Sequence, residues 1–153
     1  MKRRTFLKGS LTSSMLGIAS SAGLLTPRMV LAAWPESAFA AVSLDVSMKA
    51  LLDSTSTTSS NDINIKAPDI AENGAVVPIT ISTSIKAESI SLFVKENPFP
   101  LACTFDLGET TEGVISTRIK MGKTSDVIAV VKSGGKLFST KKLVKVTIGG
   151  CGG

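Results

Sequence analysis

The sequence has 153 residues, with no histidine, no tyrosine and only two cysteines. Without histidine, the chain has no Ser-His or Cys-His nucleophile pair, no His-ligated metal and no CxxCH haem attachment. A chain of this length fits a single domain, because domains cluster at about 100–150 residues. These absences exclude several large classes of enzyme, and no cofactor or metal is expected.

Positive charge is concentrated at the N-terminus. The chain carries 17 basic and 12 acidic residues, and its pI near 9.4 is typical of nucleic-acid-binding proteins. Residues 1–33 hold five of the basic residues and no acidic one, so the remainder has 12 of each and no net charge. The basic character therefore belongs to the N-terminal segment, and nucleic acid is not expected as a partner.

The N-terminal segment has the pattern of an export signal. The run KRRTFLK at residues 2–8 resembles a twin-arginine signal, S/T-R-R-x-F-L-K, with Lys2 as the departure. The stretch at 11–25 is shorter and more polar than the roughly 20 apolar residues of a spanning helix. Small residues before Trp34 provide a cleavage site, and Ala38-Phe39-Ala40 is a second candidate. Residues 1–33 are predicted to be a cleaved twin-arginine signal peptide, which leaves a periplasmic protein outside the membrane; a retained amphipathic helix is the alternative.

The first part of the mature chain is predicted to be helical. Apolar residues in 35–53 recur at helical spacing, and Asp45 is the candidate cap of a short second helix that ends at Asp53. Residues 54–61 contain no apolar side chain and are predicted to be a loop. Residues 34–61 are thus interpreted as an N-terminal helical segment and linker.

Residues 62–148 have the alternation of apolar and polar residues that is typical of half-buried strands. About seven short strands follow one another, and the all-apolar run at 127–131 suits a central strand. Asn73-Gly74 and Gly134-Gly135 suit turns that need a positive φ. The fold class predicted is all-β, an immunoglobulin-like antiparallel β-sandwich. A true immunoglobulin domain is not expected, because the Cys–Trp–Cys pattern is missing.

The chain ends in one thiol surrounded by glycines, the segment Gly149-Gly150-Cys151-Gly152-Gly153. Glycine has no Cβ and loses the most conformational freedom on ordering, so residues 149–153 are predicted to be a flexible carrier tail. Because an extended residue spans about 3.3–3.6 Å, the thiol can stand roughly 10 Å beyond the last strand residue. Such a tail suits a narrow cleft in another protein.

The thiol of Cys151 is suited to carrying a group, because a thiolate is a strong, soft nucleophile. An ordinary thiol has a pKa of about 8.5, so only a few per cent is ionised at neutral pH. The tail contains no His or Lys that could lower the pKa of this thiol. A partner is therefore expected to activate Cys151, and the chain is predicted to be a carrier and not an enzyme.

The second thiol, Cys103, alternates with Leu101, Phe105 and Leu107, and this face is predicted to point into the core. A buried cysteine there behaves as a small apolar side chain. Two cysteines in an exported protein more often form a disulfide. A bond from Cys103 to Cys151 would pull the tail across the domain, and an intermolecular disulfide through Cys151 remains an alternative.

The charges of the mature chain are divided along its length. Residues 34–117 have 4 lysines against 11 acidic residues, whereas residues 118–153 have 8 basic residues against Asp126 alone. Two interpretations of the basic C-terminal third remain open. It is either a set of solvated strand faces or a surface that docks a partner or attracts anions.

Five segments match the pattern of one family: residues 63–74 (INIKAPDIAENG), 75–79 (AVVPI), 95–101 (KENPFPL), 116–121 (STRIKM) and the terminal GGCGG. With the twin-arginine leader, they make the chain similar to the SoxY family, the sulfur-carrier subunits of the periplasmic Sox thiosulfate-oxidising system. The family's KNP motif reads Glu96-Asn97-Pro98 here, and Cys103 is an additional thiol.

The resemblance implies a sandwich that forms a heterodimer with SoxZ and holds its sulfur substrate on Cys151. It implies that a haem enzyme, SoxAX, joins thiosulfate oxidatively to that thiol as an S-thiosulfonate. The dimanganese hydrolase SoxB would then release sulfate and leave a persulfide, and SoxCD, where it is present, would oxidise the remaining sulfur. Export of a folded complex with a leaderless SoxZ would also explain the twin-arginine signal.

Two other functions remain open. Ubiquitin-like sulfur carriers end in Gly-Gly and bear a thiocarboxylate on the last glycine, which here is Gly153. Their ATP-dependent activation takes place in the cytoplasm, which conflicts with an export signal. The other alternative is an exported β-sandwich binding module that carries nothing and whose cysteine only cross-links it to a surface.

Overall fold

The computed structural model describes residues 34–147. The predicted signal peptide at 1–33 and the predicted tail at 149–153 lie outside the described residues. Within residues 34–147, two helices precede nine strands. Their bounds are α1 Glu36–Phe39, α2 Leu44–Leu52, β1 Thr58–Ser59, β2 Ile63–Lys66, β3 Ile70–Ala71, β4 Val77–Thr83, β5 Ser89–Val94, β6 Leu101–Asp106, β7 Val114–Ile119, β8 Ser125–Ser133 and β9 Lys136–Val146.

The strands form two sheets that enclose the main core. The large sheet has the order β1-β9-β8-β5-β6, with β3 also paired to β9, and the small sheet has the order β2-β4-β7. Alternate apolar residues of β4, β5 and β8 meet between the sheets and are almost fully buried. The prediction of an all-β sandwich is therefore confirmed. All strand pairs are antiparallel except the two-residue strands β1 and β3, which run parallel to β9.

The two helices cover the outer face of the large sheet and form a third layer. Ala38 of α1 and Met48 of α2 pack against Phe93 of β5 and Val130 of β8. Within this layer, Ser47 Oγ donates a hydrogen bond to Ala38 O at 2.7 Å, so the buried hydroxyl is satisfied. Because β5 and β8 are covered on both sides, apolar residues occupy both of their faces. The all-apolar run at 127–131 is central, as predicted.

Helix α2 begins two residues earlier than the sequence pattern indicated. Its cap is Ser43, whose Oγ accepts a hydrogen bond from the Val46 amide at 3.4 Å. Asp45 lies within the first turn, so the prediction that it caps the helix is wrong. Its carboxylate still interacts favourably with the positive end of the helix dipole. Both residues are good caps by type, and only the backbone conformation of Ser43, which is extended, decides between them.

The predicted loop at 54–61 contains a short strand, which corrects that prediction. Thr58 and Ser59 pair with Phe138 and Ser139 of β9. The Thr57 and Ser139 hydroxyls also lie within hydrogen-bonding distance of each other, at 2.8 Å. The segment has no apolar residue because it lies at an edge of the large sheet and its side chains in β1 are exposed. Within residues 34–147, no helix is long and apolar enough to cross a membrane.

Candidate functional site

The predicted site residue Cys151 and its neighbours Gly149, Gly150, Gly152 and Gly153 lie outside the described residues. The structure does define the base from which this segment continues. Strand β9 runs to Val146, whose amide donates to Thr124 Oγ1 at 3.0 Å. The Thr147 amide then donates to Ala71 O at 3.1 Å. The last described residues are thus held by β3 on one side and by the segment between β7 and β8 on the other.

Gly74 is required at this base because of close packing. Its carbonyl accepts a hydrogen bond from the Met121 amide at 2.7 Å, and a Cβ at this position would come within 2.8 Å of Val146 Cγ1. The predicted turn forms at Asn73-Gly74, where the Val76 amide donates to Asn73 O at 3.3 Å. The positive φ expected at Gly74 is wrong, because among the described glycines it is found at Gly134 and Gly135. The absent side chain lets residues 120–122 approach the end of β9.

Asn97 joins two neighbouring parts of the same end of the sandwich. Its Nδ2 donates to Lys120 O at 2.8 Å, and its Oδ1 accepts from the Gly122 amide at 3.0 Å. A side-chain amide that satisfies both a donor and an acceptor fixes the turn after β5 against the segment after β7. The Asn-Pro pair that the sequence singled out is therefore a structural link at this end of the fold.

A groove of about 630 Å³ lies beside this link, between β6 at the edge of the large sheet and β7 at the edge of the small sheet. We call it the β6–β7 groove. Its lining residues are Asn97, Pro98, Phe99, Leu101, Ala102, Cys103, Arg118, Ile119, Lys120 and Gly122. No sequence pattern predicted it, since its two walls are distant in sequence. The one sequence feature that could have indicated the groove is that residues 95–101 and 116–121, which supply much of its lining, both belong to the segments with family resemblance.

A bulge in β6 decides which way its side chains point. Cys103 pairs with Leu92, but Leu101 pairs with Phe93, so Ala102 has no partner in the register. Leu101 consequently packs on the helical side, whereas Cys103 packs partly against the core between the sheets. The prediction that Leu101 and Cys103 share one face is therefore wrong, whereas the prediction that Cys103 faces the core holds in part, because its side chain is partly buried there. The alternation failed because one extra residue reverses every position before it.

Cys103 is a free, partly buried cysteine in the wall of the β6–β7 groove. Burial raises the pKa of its thiol from the ordinary 9.0 to about 11. The thiolate is therefore scarce at neutral pH, and the side chain acts as a small apolar residue. This chemistry is opposite to that required of a thiol that accepts a substrate.

We expect the two cysteines to react at very different rates with a neutral alkylating agent. At neutral pH, Cys103 should react about 100-fold more slowly than Cys151, because a pKa raised by two units leaves about one hundredth of the thiolate. The rate at Cys103 should rise with pH towards 11 as its thiol ionises. Peptide mass spectrometry after timed iodoacetamide pulses measures both rates, and urea-unfolded protein is the control. Similar alkylation rates at the two cysteines in the folded protein would contradict the conclusion that Cys103 is buried and poor in thiolate.

The basic C-terminal third is divided by the structure into paired and unpaired cations. Lys141 lies 3.8 Å from the Asp126 carboxylate, and Lys142 lies 3.0 Å from that of Asp69. Lys142 also donates to the carbonyl of residue 67 at 2.7 Å. By contrast, Arg118 and Lys120 line the β6–β7 groove and form no ion pair within residues 34–147. Lys132, Lys136 and Lys145 likewise form no ion pair within the described residues, so the cations available to an anion lie both beside the groove and elsewhere on this third.

Comparison with known proteins identifies the family. The family model described as sulfur oxidation protein SoxY matches residues 48–151, from α2 to the tail cysteine. The chain belongs to the SoxY family. The solved structure of the sulfur carrier protein SoxY from Chlorobium limicola f thiosulfatophilum is 43% identical, with a TM-score of 0.62 over 69% of this chain and 96% of that one.

The fold is also found outside the SoxY family. A superoxide reductase (neelaredoxin) from Ignicoccus hospitalis has a TM-score of 0.51 at 16% identity, over 57% of this chain and 81% of that one. At this identity the likeness shows the fold alone. Among residues 34–147, no cluster of three or more Cys, Asp or Glu side chains is arranged to hold a metal ion. A search of curated proteins returned no significant match.

Proposed function

We propose that the chain is a covalent sulfur carrier in periplasmic thiosulfate oxidation, with Cys151 as the attachment site. The observation that carries this proposal is that the SoxY family match extends to Cys151 itself. The 43% identical structure of the sulfur carrier protein SoxY from Chlorobium supports the same role. The glycines on both sides of Cys151 suit delivery of a small group into an enzyme cleft, because they add no side-chain width.

The chemistry proposed for Cys151 divides into an oxidation and a hydrolysis. In the first step, the thiol and thiosulfate form a sulfur–sulfur bond and release one proton, and two electrons pass to the haem enzyme SoxAX. The product, Cys–S–S–SO₃⁻, then reacts with water at its sulfone sulfur in SoxB. The S–S bond to that sulfone breaks, sulfate leaves and a persulfide remains on Cys151. Where SoxCD is present, it oxidises the remaining sulfur before a second hydrolysis.

A heterodimer with SoxZ is proposed as the resting form of the carrier. Edge strands β6 and β7 leave unpaired backbone groups, and apolar side chains are exposed beside the helices, including Val42 at 77% and Val46 at 58%. Exposed edges and apolar patches are features that a partner subunit covers. The twin-arginine segment in residues 1–33 supports export to the periplasm as a folded complex.

Intact-mass spectrometry of the protein from cells that oxidise thiosulfate tests the proposal. We expect adducts that a reducing agent removes, at masses of added sulfane sulfur or thiosulfonate, confined to Cys151. Unmodified thiol or disulfide dimer alone would instead support the non-carrier binding module. A mass shift of one oxygen-to-sulfur exchange at Gly153, with Cys151 unmodified, would support a thiocarboxylate carrier.

A further inference from the structure

We propose that Ala38-Phe39-Ala40 is a latent signal-peptidase site, which the folded helical layer of α1 and α2 closes. The motif has the A-x-A form of such sites, and the bond that would be cut joins Ala40 to Ala41. Hydrolysis there adds one water molecule, leaves a carboxylate on Ala40 and an amine on Ala41, and removes seven more residues than a cut before Trp34. The inference rests on the proposed export of the chain and is independent of the sulfur chemistry proposed for the tail.

The side chains on both sides of this bond are buried in the folded chain. Ala38 has no exposed surface, and Ala41, which follows the bond, is only 7% exposed. Ala38 packs on the outer face of the large sheet, in the cluster that includes Phe93 and Val130. A signal peptidase selects small side chains at the third and the first position before the cut, and Ala38 is the third. The motif therefore cannot be recognised unless α1 lifts off the sheet.

The backbone of the motif is engaged as well. The Ala38 and Phe39 amides donate to Pro35 O at 3.0 and 3.2 Å, and the Ala40 amide donates to Glu36 O at 2.8 Å. An extended peptide binds to another protein by pairing its backbone groups as an added strand. All three amides of the motif are instead used within the single turn of α1. The turn must therefore unwind before the bond can be presented to a peptidase.

One buried hydrogen bond holds α1 onto α2. Ser47 Oγ donates to Ala38 O at 2.7 Å, and Ser47 has no exposed surface. If α1 lifts, or is removed by a cut after Ala40, this hydroxyl loses its partner. Met48 and Phe93 also lose apolar contacts to Ala38. The contacts that complete the helical layer therefore oppose the opening of the site, and a chain that is cut there cannot rebuild the layer.

The other candidate cut, before Trp34, lies outside the two helices. Trp34 is 69% exposed, and residues 34–35 belong to no helix or strand. Because twin-arginine export suits a chain that has already folded, the peptidase would meet the helical layer in its closed form. A folded chain should therefore be cut before Trp34 and keep α1. A chain that is cut before it folds should lose α1 at the latent site.

Digestion of the precursor in folded and unfolded form provides the test. The chain 1–153 is incubated with a purified bacterial signal peptidase in a mild detergent, either after refolding or directly on dilution from urea. Intact-mass spectrometry identifies the N-terminus of each product. S47A removes the hydrogen bond to Ala38 O. S125A is the matched control, because it removes a buried serine hydroxyl that accepts from the Glu96 amide at 3.0 Å, outside the helical layer.

We expect the refolded precursor to yield mainly a product that begins at Trp34, and the urea-diluted chain to yield in addition a product that begins at Ala41. In refolded S47A the fraction that begins at Ala41 should be about five- to tenfold larger, because cleavage follows the population in which the layer is open. S125A should match the unaltered chain. In S47A/A40D that product should disappear, because a charged side chain replaces the small residue before the bond.

Equal amounts of the Ala41 product from the refolded and the urea-diluted chain would overturn the proposal. Absence of this product from the urea-diluted chain would also overturn it, because the motif would then be no site at all. An equal increase in S47A and S125A would assign the protection to the whole fold and not to the helical layer, which would refute the role of α1. Failure of the proposed export has a different signature, since the chain would then keep residues 1–33 in cells and remain in the cytoplasmic fraction.

Discussion

Cells that carry C151S in place of the unaltered chain are expected to oxidise thiosulfate no faster than cells without the gene. A serine hydroxyl is a weak nucleophile at neutral pH and cannot form the sulfur–sulfur bond on which each later step depends. Substitution of one atom in the tail should leave the folded part unchanged. Thiosulfate consumption and sulfate production measure the loss, and thermal unfolding of purified C151S verifies that the sandwich is intact.

Two variants control for this result. C103A removes the other thiol and should retain thiosulfate oxidation within about twofold, because Cys103 is thiolate-poor and partly buried. Deletion of Gly153 alone should be tolerated if the sulfur group is carried on Cys151. The same deletion should abolish function if the group is carried as a thiocarboxylate on Gly153. Full activity of C151S would refute the carrier proposal outright.

F93A is expected to lower the free energy of unfolding by about 3–5 kcal/mol. Phe93 has no exposed surface and lies between the large sheet and the helical layer, in contact with the cluster that includes Leu101 and Val130. Its removal would leave a cavity where two layers meet. Because a domain of this size is stable by only about 5–15 kcal/mol, this loss should also reduce the yield of folded protein. Urea denaturation followed by circular dichroism measures it.

F99A is the matched control for F93A. Phe99 has the same type of side chain as Phe93, but it is 55% exposed. Its loss should therefore change the free energy of unfolding by less than about 1 kcal/mol. A similarly small effect of F93A would show that the helices do not contribute to the cooperative unit. A parallel loss in both variants would show that the turn after β5, rather than the helical layer, limits stability.

Local pattern was sufficient for those features of the chain that depend on neighbours in sequence. The alternation in β4 and β7 predicted strands because successive strand residues face opposite sides of a sheet. The apolar run in β8 predicted a central strand because both of its faces are covered. The family resemblance and the chemistry expected of Cys151 also came from short segments, and the family itself is confirmed by comparison.

Pattern failed where the outcome depended on a distant partner. The choice of Ser43 over Asp45 as the helix cap is a local exception, because the extended backbone of Ser43 decides it. Strand β1 formed in a polar segment because β9 offered it an open edge. The bulge at Ala102 turned Leu101 to the helical side, since register in β6 is set by β5 and not by its own alternation.

The strand-rich fold, the family and a lone thiol among glycines at the C-terminus could all be predicted from local sequence patterns. The tertiary structure was needed to show that, within residues 34–147, Arg118 and Lys120 form no ion pair beside the groove, while Lys141 and Lys142 are paired with carboxylates. Composition counts all four as equal positive charges. Their difference arises because strand register and the close approach at Gly74 decide which residues become neighbours.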